Sequence, residues 1–303
     1  MDMDQIRTFV AIARGRSFSR ASTVLHRSQP AISRRIDLLE REFDVPLFER
    51  RRGGVILTDA GAAFLPFAEA VLAAAEDGAQ VLRATQKGNT ARISLAIVGT
   101  LANSALTTVL QRFCRRYPNV RLDLLTATSR EIGESVRRGE ATLGIRYLPD
   151  RDPGLVSQHI GSEKLLVVGP ADHPLADGKM HRPKELADQR WVGFPAEKSR
   201  ETFVGFLEGK LRSAGLEVTE IIPIDSLTAQ KRLVEAGFGI ALLAESGIRE
   251  ELAAGSLKVL NIPALRASIP IHLVYRRNGY INPAARILLS MIAGQRKPKS
   301  HPG

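Results

Sequence analysis

Apolar positions in the first 45 residues follow helical spacing in three short blocks. The residues at three- and four-residue steps are Ile6, Phe9, Val10 and Ala13, then Phe18, Ala21 and Leu25, then Ile32, Ile36, Leu39 and Phe43. They predict a helix from Asp2 or Asp4 to Arg14 and two further helices that begin after Ser17 and Ser28, both good N-cap residues. The segment from Ser17 to Phe43 is therefore a predicted helix-turn-helix.

The third predicted helix has a polar face that suits a nucleic acid. Gln29, Ser33 and Arg34 near its start can hydrogen-bond base edges or phosphates, and Ser28 and Pro30 open the helix. Asp37 and Glu40 lie further along the predicted exposed face and would repel DNA. We therefore expect only the first two turns to enter a major groove.

A short basic hairpin is predicted after the third helix. Asp44-Val45-Pro46 should end the helix, and residues 49–57 read as two strands around Gly53-Gly54. Its tip carries Arg50, Arg51 and Arg52, which would reach a flanking backbone or minor groove as the wing of a winged helix-turn-helix. The alternative is a solvated basic loop, the usual outcome for such a charge run.

A long helix is predicted from Thr58 or Asp59 to about Gln86, interrupted or kinked near Pro66. Its three-four apolar alternation comprises Leu65, Ala68, Leu72, Ala75, Ala79 and Leu82. Such a stripe packs against another helix, either that of a second copy or one within the same chain. Residues 87–90 (Lys-Gly-Asn-Thr) read as a hinge.

From Arg92 onward the pattern alternates between strands and helices. The first series is Ile93–Val98, Leu101–Arg116, Val120–Leu125, Ser129–Arg138 and Leu143–Tyr147; the second is Leu165–Val168, Phe203–Ala214, Val218–Ile224, Leu227–Ala236 and Ile240–Leu243; the chain returns through Ile269–Tyr275 and Pro283–Ile292. This order predicts two βαβαβ lobes with mainly parallel sheets and a cleft between them.

Ligands of such sheets bind beyond the carboxyl ends of the strands, where helix N-termini point. The residues at these ends are Thr100, Thr128, Ser129 and Tyr147 in the first lobe and Phe194, Thr202 and Ser226 in the second. Hydroxyl groups at helix N-termini suit a small anion such as a carboxylate. The alternative is that they serve only as helix caps.

Composition narrows the range of functions. The net charge of the 303 residues is +11, yet residues 1–90 contribute only +2, so bulk basicity is weak support for DNA binding. No signal peptide or membrane span is evident, which predicts a cytoplasmic protein with no membrane partner. Cys114 has no second cysteine, and the histidines lack metal-ligand spacing. With no catalytic or nucleotide-binding motif either, we expect no metal, no cofactor and no enzyme activity.

Several segments together resemble the LysR-type transcriptional regulators. They read FVAIARGRSFSRAS, SQPAISRRIDLLE, PLFERRRGG and LTDAG, followed by RRYPNVRLDLL, ADHPLA and LVEAGFGIALL, so that the similarity covers about residues 3–293. Five positions depart from the family pattern. Arg27 stands where an apolar residue is usual, Asp44 where a helix-ending glycine is usual, and Gly53 where the wing often has a basic residue. Thr142 replaces a usual aspartate and Ala244 a usual proline.

The resemblance implies an α/β protein overall, with three parts. They are a winged helix-turn-helix at 1–58, a linker and dimerisation helix at 59–88, and a periplasmic-binding-protein-like effector domain at 91–295, whose lobe I is 91–162 with 267–295 and lobe II is 163–266. Residues 296–303 would be a disordered basic tail. Homodimers that assemble into tetramers, interrupted palindromic operators and a small-molecule effector are implied too, with RNA polymerase as a further candidate partner.

The resemblance also assigns residues to roles. It implies DNA contacts by Gln29, Pro30, Ser33, Arg34, Arg50 and Arg52, and it places Thr100, Ser129, Phe194 and Thr202 in the cleft. With the residues that the sequence pattern adds, the predicted DNA contacts are Ser28, Gln29, Pro30, Ser33, Arg34, Arg50, Arg51 and Arg52. The predicted cleft residues are Thr100, Leu101, Thr128, Ser129, Tyr147, Phe194, Thr202 and Ser226. We therefore predict a bacterial, nucleoid-associated activator or repressor that responds to an effector. The alternative, a cytoplasmic small-molecule-binding module without sequence-specific DNA function, leaves residues 1–90 unexplained.

Overall fold

A computed structural model describes residues 1–52, 54–84, 91–103, 105–195, 203–216 and 220–294. The chain divides into two compact units, the first mainly residues 1–89 and the second mainly residues 90–303. The predicted hinge at 87–90 and the predicted tail at 296–303 lie outside the described residues. Within the described ranges, no helix is both long and apolar enough to cross a membrane.

The first unit contains the predicted helix-turn-helix, hairpin and long helix. Its elements are α1 (Met3–Gly15), α2 (Phe18–Val24), α3 (Gln29–Phe43), β1 (Phe48–Arg51), β2 (Gly54–Leu57) and α4 (Asp59–Ala84). Asp2 caps α1 and Ser17 caps α2 through their side chains. The order of elements is that of a winged helix-turn-helix followed by a linker helix.

One apolar core joins α1, α2 and α3 to the hairpin and to the start of α4. Ile32, Ile36 and Leu39 of α3 are at most 2% exposed and pack in a cluster with Phe9 of α1. The Phe9 ring lies 5.2 Å from that of Phe48 in β1 and 4.9 Å from that of Phe64 in α4. Each large side chain buried in this way stabilises the fold by about 1.5–3 kcal/mol, so the core fixes α3 relative to the hairpin and α4.

Two expectations about α3 were wrong. Phe43 is 55% exposed rather than part of the core, because Asp44 adopts a left-handed conformation (φ 52°) and ends the helix there. Glu40 is half-buried and faces inward, where its carboxylate accepts hydrogen bonds from the backbone N–H groups of Leu47 (2.6 Å) and Phe48 (3.2 Å). The carboxylate therefore fixes the chain as it enters β1.

The predicted stripe along α4 is not buried along its whole length. Leu65, Ala68 and Leu72 pack on the helix-turn-helix core of their own subunit. Ala75 and Leu82 are exposed, and Ala79 is half-buried. The stripe was predicted to meet one partner helix, but half of it belongs to the subunit core, because α4 crosses that core at its start.

The second unit is a two-lobed α/β structure. Its elements are β3 (Arg92–Ile97), α5 (Leu106–Arg116), β4 (Arg121–Thr126), α6 (Ser129–Arg137), β5 (Leu143–Tyr147), β6 (Leu155–Pro170), β7 (Trp191–Gly193), α7 (Phe203–Ser213), β8 (Ile221–Pro223), α8 (Leu227–Glu235), β9 (Ala241–Ala244), α9 (Arg249–Ala254), β10 (Leu257–Val259), β11 (Ala267–Arg276) and α10 (Pro283–Ala293). A short 3₁₀ helix, Gly99–Asn103, occupies the start of the predicted helix Leu101–Arg116. The α-helix therefore begins only at Leu106.

The sheet is more mixed than the sequence predicted. Strands β4, β3 and β5 are parallel, as expected for the first lobe, and β7 and β8 are parallel in the second. Strand β6, however, pairs antiparallel with β11, β9 and β10. The prediction of Leu165–Val168 located only the apolar end of this long strand, because polar residues and Gly161 hide its earlier part.

A charged cluster on the loop between β6 and β7 surrounds one histidine. His181 Nε2 lies 2.7 Å from Asp177 and its Nδ1 lies 2.9 Å from Glu185. The hydrogen bond with Asp177, followed by that with Glu185, raises the pKa of His181 above 6.5. The pKa of Asp177 is lowered mainly by His181, and the pKa of Glu185 is lowered mainly by the backbone N–H of Arg182 and then by His181.

This cluster predicts a pH dependence of stability. The histidine's contribution is complete below its unfolded pKa of 6.5 and is lost as pH rises through its higher folded value. The carboxylates contribute above their unfolded values of 3.8 and 4.5 and lose their contribution as pH falls. Thermal unfolding of His181→Gln should therefore deviate most from wild type between pH 4.5 and 6.5 and converge with it at higher pH. A difference that stays the same from pH 4.5 to well above the folded pKa of His181 would contradict the prediction.

Candidate DNA surface and ligand cleft

The start of α3 presents a polar surface. Ser28, Gln29, Pro30 and Arg34 are exposed, and Ser33 is half-buried. Ser28 is the N-cap residue by position, but its side chain makes no capping hydrogen bond. Two groups of this surface are thus available to a ligand: the Ser28 hydroxyl and, because Arg34 has no ion-pair partner among the described residues, the Arg34 guanidinium.

The first turn of α2 contacts the polar surface at the start of α3. Ser19 Oγ donates a 3.3 Å hydrogen bond to the side-chain oxygen of Gln29. The Gln29 amide N–H groups remain on the exposed side of the helix, where a base edge or phosphate can accept from them. The predicted residues of α3 are therefore brought together on one surface.

The hairpin has the geometry of a wing. Arg51 pairs with Gly54 across the turn, and the backbone N–H of Val55 donates to Arg16 O at 3.2 Å, which attaches the hairpin to the α1–α2 turn. Arg51 forms a 3.0 Å ion pair with Glu49 on the same strand. Arg52 is exposed, whereas the Arg50 side chain and Gly53 lie outside the described part of the chain.

A cavity of about 470 Å³ lies between the lobes of the second unit. Its lining residues are Val98, Gly99, Thr100, Thr126, Ala127, Thr128, Ser129, Arg130, Glu131, Tyr147, Phe194, Pro195, Asp225, Leu227, Leu243 and Ala244. They come from the carboxyl ends of β3, β4, β5, β7, β8 and β9 and from the helices that follow. The surface is mostly apolar with a few polar groups, as in small-molecule sites.

Five predicted cleft residues line this cavity: Thr100, Thr128, Ser129, Tyr147 and Phe194. Leu101 does not line it and is a core residue at 1% exposure. Ser226 does not line it either, because its side chain caps α8 by accepting from the N–H of Ala229. Thr202 lies outside the described residues. The sequence analysis left open whether each hydroxyl binds a ligand or only caps a helix. The structure shows that the Ser226 hydroxyl caps a helix.

Tyr147 connects the loops of the first lobe. Its hydroxyl accepts a 3.1 Å hydrogen bond from Thr100 Oγ1, and its backbone N–H donates to Ser129 Oγ at 3.3 Å. Burial raises the pKa of Tyr147, so the phenol stays protonated at neutral pH and keeps an O–H for donation. Tyr147 thus connects two polar loops of the cavity, one through its buried side chain and the other through its backbone N–H.

The sequence analysis missed three charged side chains that line the cavity. Arg130 forms a 3.3 Å ion pair with Glu134. Glu131 forms a capping box with Thr128, and the hydrogen bond from the Thr128 backbone N–H lowers the pKa of Glu131 and keeps it ionised. Asp225 is exposed just before α8. Extending the strand-end rule by two residues in each direction would have found all three.

Metal chemistry has no evident place in the described ranges, which hold no group of three or more histidine, cysteine or acidic side chains able to bind an ion. Cys114 is exposed on α5. The arrangement offers hydrogen bonds, a dipole at the start of α6 and apolar contact. Those features suit the binding of a small molecule.

Comparisons with known proteins agree with both units. Residues 3–62 match the model of the bacterial regulatory helix-turn-helix protein, lysR family, and residues 86–297 match that of the LysR substrate binding domain. The regulator TfdS of Cupriavidus pinatubonensis is 30% identical over 96% of this chain and 97% of its own length.

Solved structures give the same result. The LysR family regulator CbnR is 25% identical with a TM-score of 0.65, over 98% of this chain and 100% of its own. Full-length CbnR in complex with its target DNA is 26% identical with a TM-score of 0.62, over 97% of this chain and 100% of its own. With a helix-turn-helix at its start and a ligand cleft in its second unit, this chain belongs to the LysR family of transcriptional regulators.

Proposed function

We propose that the first two turns of α3 read operator bases in the major groove. The exposed Gln29 and Arg34 and the half-buried Ser33 support this role, because amide and guanidinium groups form bidentate hydrogen bonds with base edges. Ser28 and Pro30 at the helix start, with Arg50, Arg51 and Arg52 on the wing, would contact the backbone. Arg52 is the best placed of the two described wing arginines, because Arg51 is already paired with Glu49.

Replacement of Arg34 tests the base contact. We expect Arg34→Ala to weaken binding to a selected operator duplex by roughly 1–3 kcal/mol, the usual value of one good bidentate base contact. Gel-shift titration at a fixed salt concentration measures the change. Arg41→Ala, the same replacement on the exposed second half of α3, is the matched control and should bind as wild type. Equal affinity of Arg34→Ala and the control would remove Arg34 from the site.

The dimerisation surface is proposed to lie on α4, but in a register different from the predicted one. Five exposed positions alternate at four- and three-residue steps: Phe67, Val71, Ala74, Gly78 and Val81. This is the spacing of a coiled-coil seam, and the small residues at its centre would allow a second helix to approach closely. Phe67 is 71% exposed, a large apolar side chain that a partner helix would cover.

Charge substitutions on α4 distinguish the two registers. Val71→Arg should halve the mass measured by light scattering while circular dichroism stays unchanged, because it places a charge in the seam. Leu72→Arg should instead unfold the first unit, because Leu72 packs on the subunit core. Glu76→Arg lies on the opposite, exposed face and serves as the control of unchanged mass. An unchanged mass for Val71→Arg would exclude this seam.

We infer that the cleft binds a small effector with an acidic group, placed at the start of α6. Support comes from the helix dipole there, from Arg130 and from the hydroxyls of Thr128 and Ser129. Glu131 and Asp225 carry negative charge into the same cleft. An anionic group would therefore bind beside Ser129 and Arg130, with the apolar remainder of the effector against Phe194 and Leu243.

Filling the cleft tests this assignment. A side chain at Gly99 would project into open space, so Gly99→Phe should occupy the cavity without displacing the backbone. Wild type should respond to at least one member of a panel of small carboxylates, and not to its amide, in an operator-fused reporter. Gly99→Phe should bind the operator yet not respond.

The control for this experiment is Gly209→Phe. Gly209 also has open space around it, but it lies on α7 and does not line the cleft, so its response should be that of wild type. A response by Gly99→Phe equal to that of the control would contradict the cleft assignment. A response to amides as strong as that to acids would contradict the acidic group.

The proposal extends to assembly and place of action. An effector that binds one arrangement of the lobes more tightly than another shifts the equilibrium between them, which is how occupancy would alter operator binding. Two dimers forming a homotetramer would occupy an interrupted palindrome, with RNA polymerase as a candidate partner. A regulator of this kind acts at the bacterial nucleoid, in the cytoplasm.

A further inference from the structure

The segment from Arg16 to Ile36 carries unbalanced positive charge. It contains five arginines and no aspartate or glutamate, although residues 1–90 as a whole are nearly neutral. It spans the α1–α2 turn, all of α2 and the first half of α3. The positive charge of the first unit is therefore concentrated on the elements around the start of α3.

The arginines of the first 58 residues also differ in their partners. Arg35 is paired with Asp4 at 2.9 Å, Arg14 with Glu69 and Arg51 with Glu49. The arginines that form no ion pair with an acidic side chain among the described residues are Arg7, Arg16, Arg20, Arg27, Arg34, Arg41 and Arg52. Five of these seven lie in the segment 16–36 or on the wing, so most of the arginines without an acidic partner concentrate on one part of the unit.

Arg27 has a well-defined backbone position. It lies in the turn between α2 and α3, where its backbone N–H donates to Ser22 O at 3.0 Å and that of Leu25 donates to Ala21 O at 2.9 Å. His26 is left-handed (φ 51°) and reverses the chain. The backbone at Arg27 is thus fixed by α2, while its side chain is exposed and has no ion-pair partner in the part of the chain that the structure describes.

We propose that Arg27 binds a DNA backbone phosphate beside the bases that α3 contacts, which rests on the proposed placement of α3. Arg27 precedes the first residue of the helix, so its side chain lies beside the base-reading face rather than on it. A guanidinium in this position neutralises a phosphate and sets the depth and register of the helix. It contributes affinity without selecting a sequence.

Salt dependence distinguishes this contact from a base contact. The DNA is a duplex recovered by in vitro selection with the full-length wild-type protein. The logarithm of its association constant with the protein falls linearly with the logarithm of the salt concentration. For Arg27→Ala, the slope should be smaller by about 0.9 for each recognition helix engaged, because one fewer counterion is released per phosphate. Arg27→Lys should restore the slope, and repeated selection with Arg27→Ala should recover the same sequence preference.

Arg41→Ala is the control and should keep the wild-type slope. If the slope of Arg27→Ala equals that of the control, or if the selected sequence changes while the slope does not, the phosphate contact is wrong. Arg34→Ala separates this failure from that of the proposed function. Loss of affinity by Arg34→Ala with none by Arg27→Ala overturns only the Arg27 contact, whereas no effect of either substitution overturns the placement of α3.

Discussion

The first unit depends on the packing of one face of α3 against α1 and α2. Ile32, Ile36 and Leu39 are almost completely removed from water, and their burial fixes the rotation of the helix about its own axis. Because Ile32, Ile36 and Leu39 are buried, the side chains of Gln29 and Arg34 lie on the exposed side of the helix. The same core includes Phe9, whose contacts with Phe48 and Phe64 hold the wing and the linker helix. The exposure of the proposed DNA-reading surface thus follows from the burial of the opposite, apolar face rather than from the basic residues themselves.

The second unit applies a comparable constraint to a ligand. Parallel strands end at one edge of the sheet, and the turns that follow must satisfy the free N–H groups of the next helix. Thr128 and Glu131 do so as a capping box, and Ser129 receives the backbone N–H of Tyr147. Polar groups that terminate helices are in this way collected around a mostly apolar space, which gives a ligand both orientation and contact area.

The sequence predicted the elements that carry strong periodicity and failed where two constraints compete for one residue. Ile32 and Leu39 were predicted as core from spacing alone, and Thr100 and Ser129 as cleft residues from their place after strands. Phe43 fits the same helical spacing, yet Asp44 ends the helix before Phe43 can be covered. Glu40 was expected on the exposed face, but its carboxylate accepts hydrogen bonds from the backbone N–H groups of Leu47 and Phe48, where the chain enters β1.

Longer-range pairing was invisible for a different reason. Strand β6 continues through polar residues because β11 pairs with it along most of its length and supplies backbone hydrogen bonds. The apolar pattern of the local sequence carries no information about this pairing. Asp225 and Arg130 were missed because charged residues beside a strand end give no periodic signal. The cavity gathers them from segments almost 100 residues apart, which a reading of neighbours cannot detect.

The division of α4 into two faces affects how a dimer would hold its recognition helices. Leu65, Ala68 and Leu72 bind the helix to the core that contains α3, while Phe67 and Val71 point to solvent. Suppose that the exposed seam of α4 pairs with that of a second copy. Each α3 is then connected to the seam through packed side chains, including the Phe9–Phe64 contact, without a flexible segment between α3 and the seam. The crossing angle of the two seams would then fix the separation of the two recognition helices, and hence the half-site spacing of the operator. A polar or flexible start of α4 would lose that geometric link even if dimerisation itself survived.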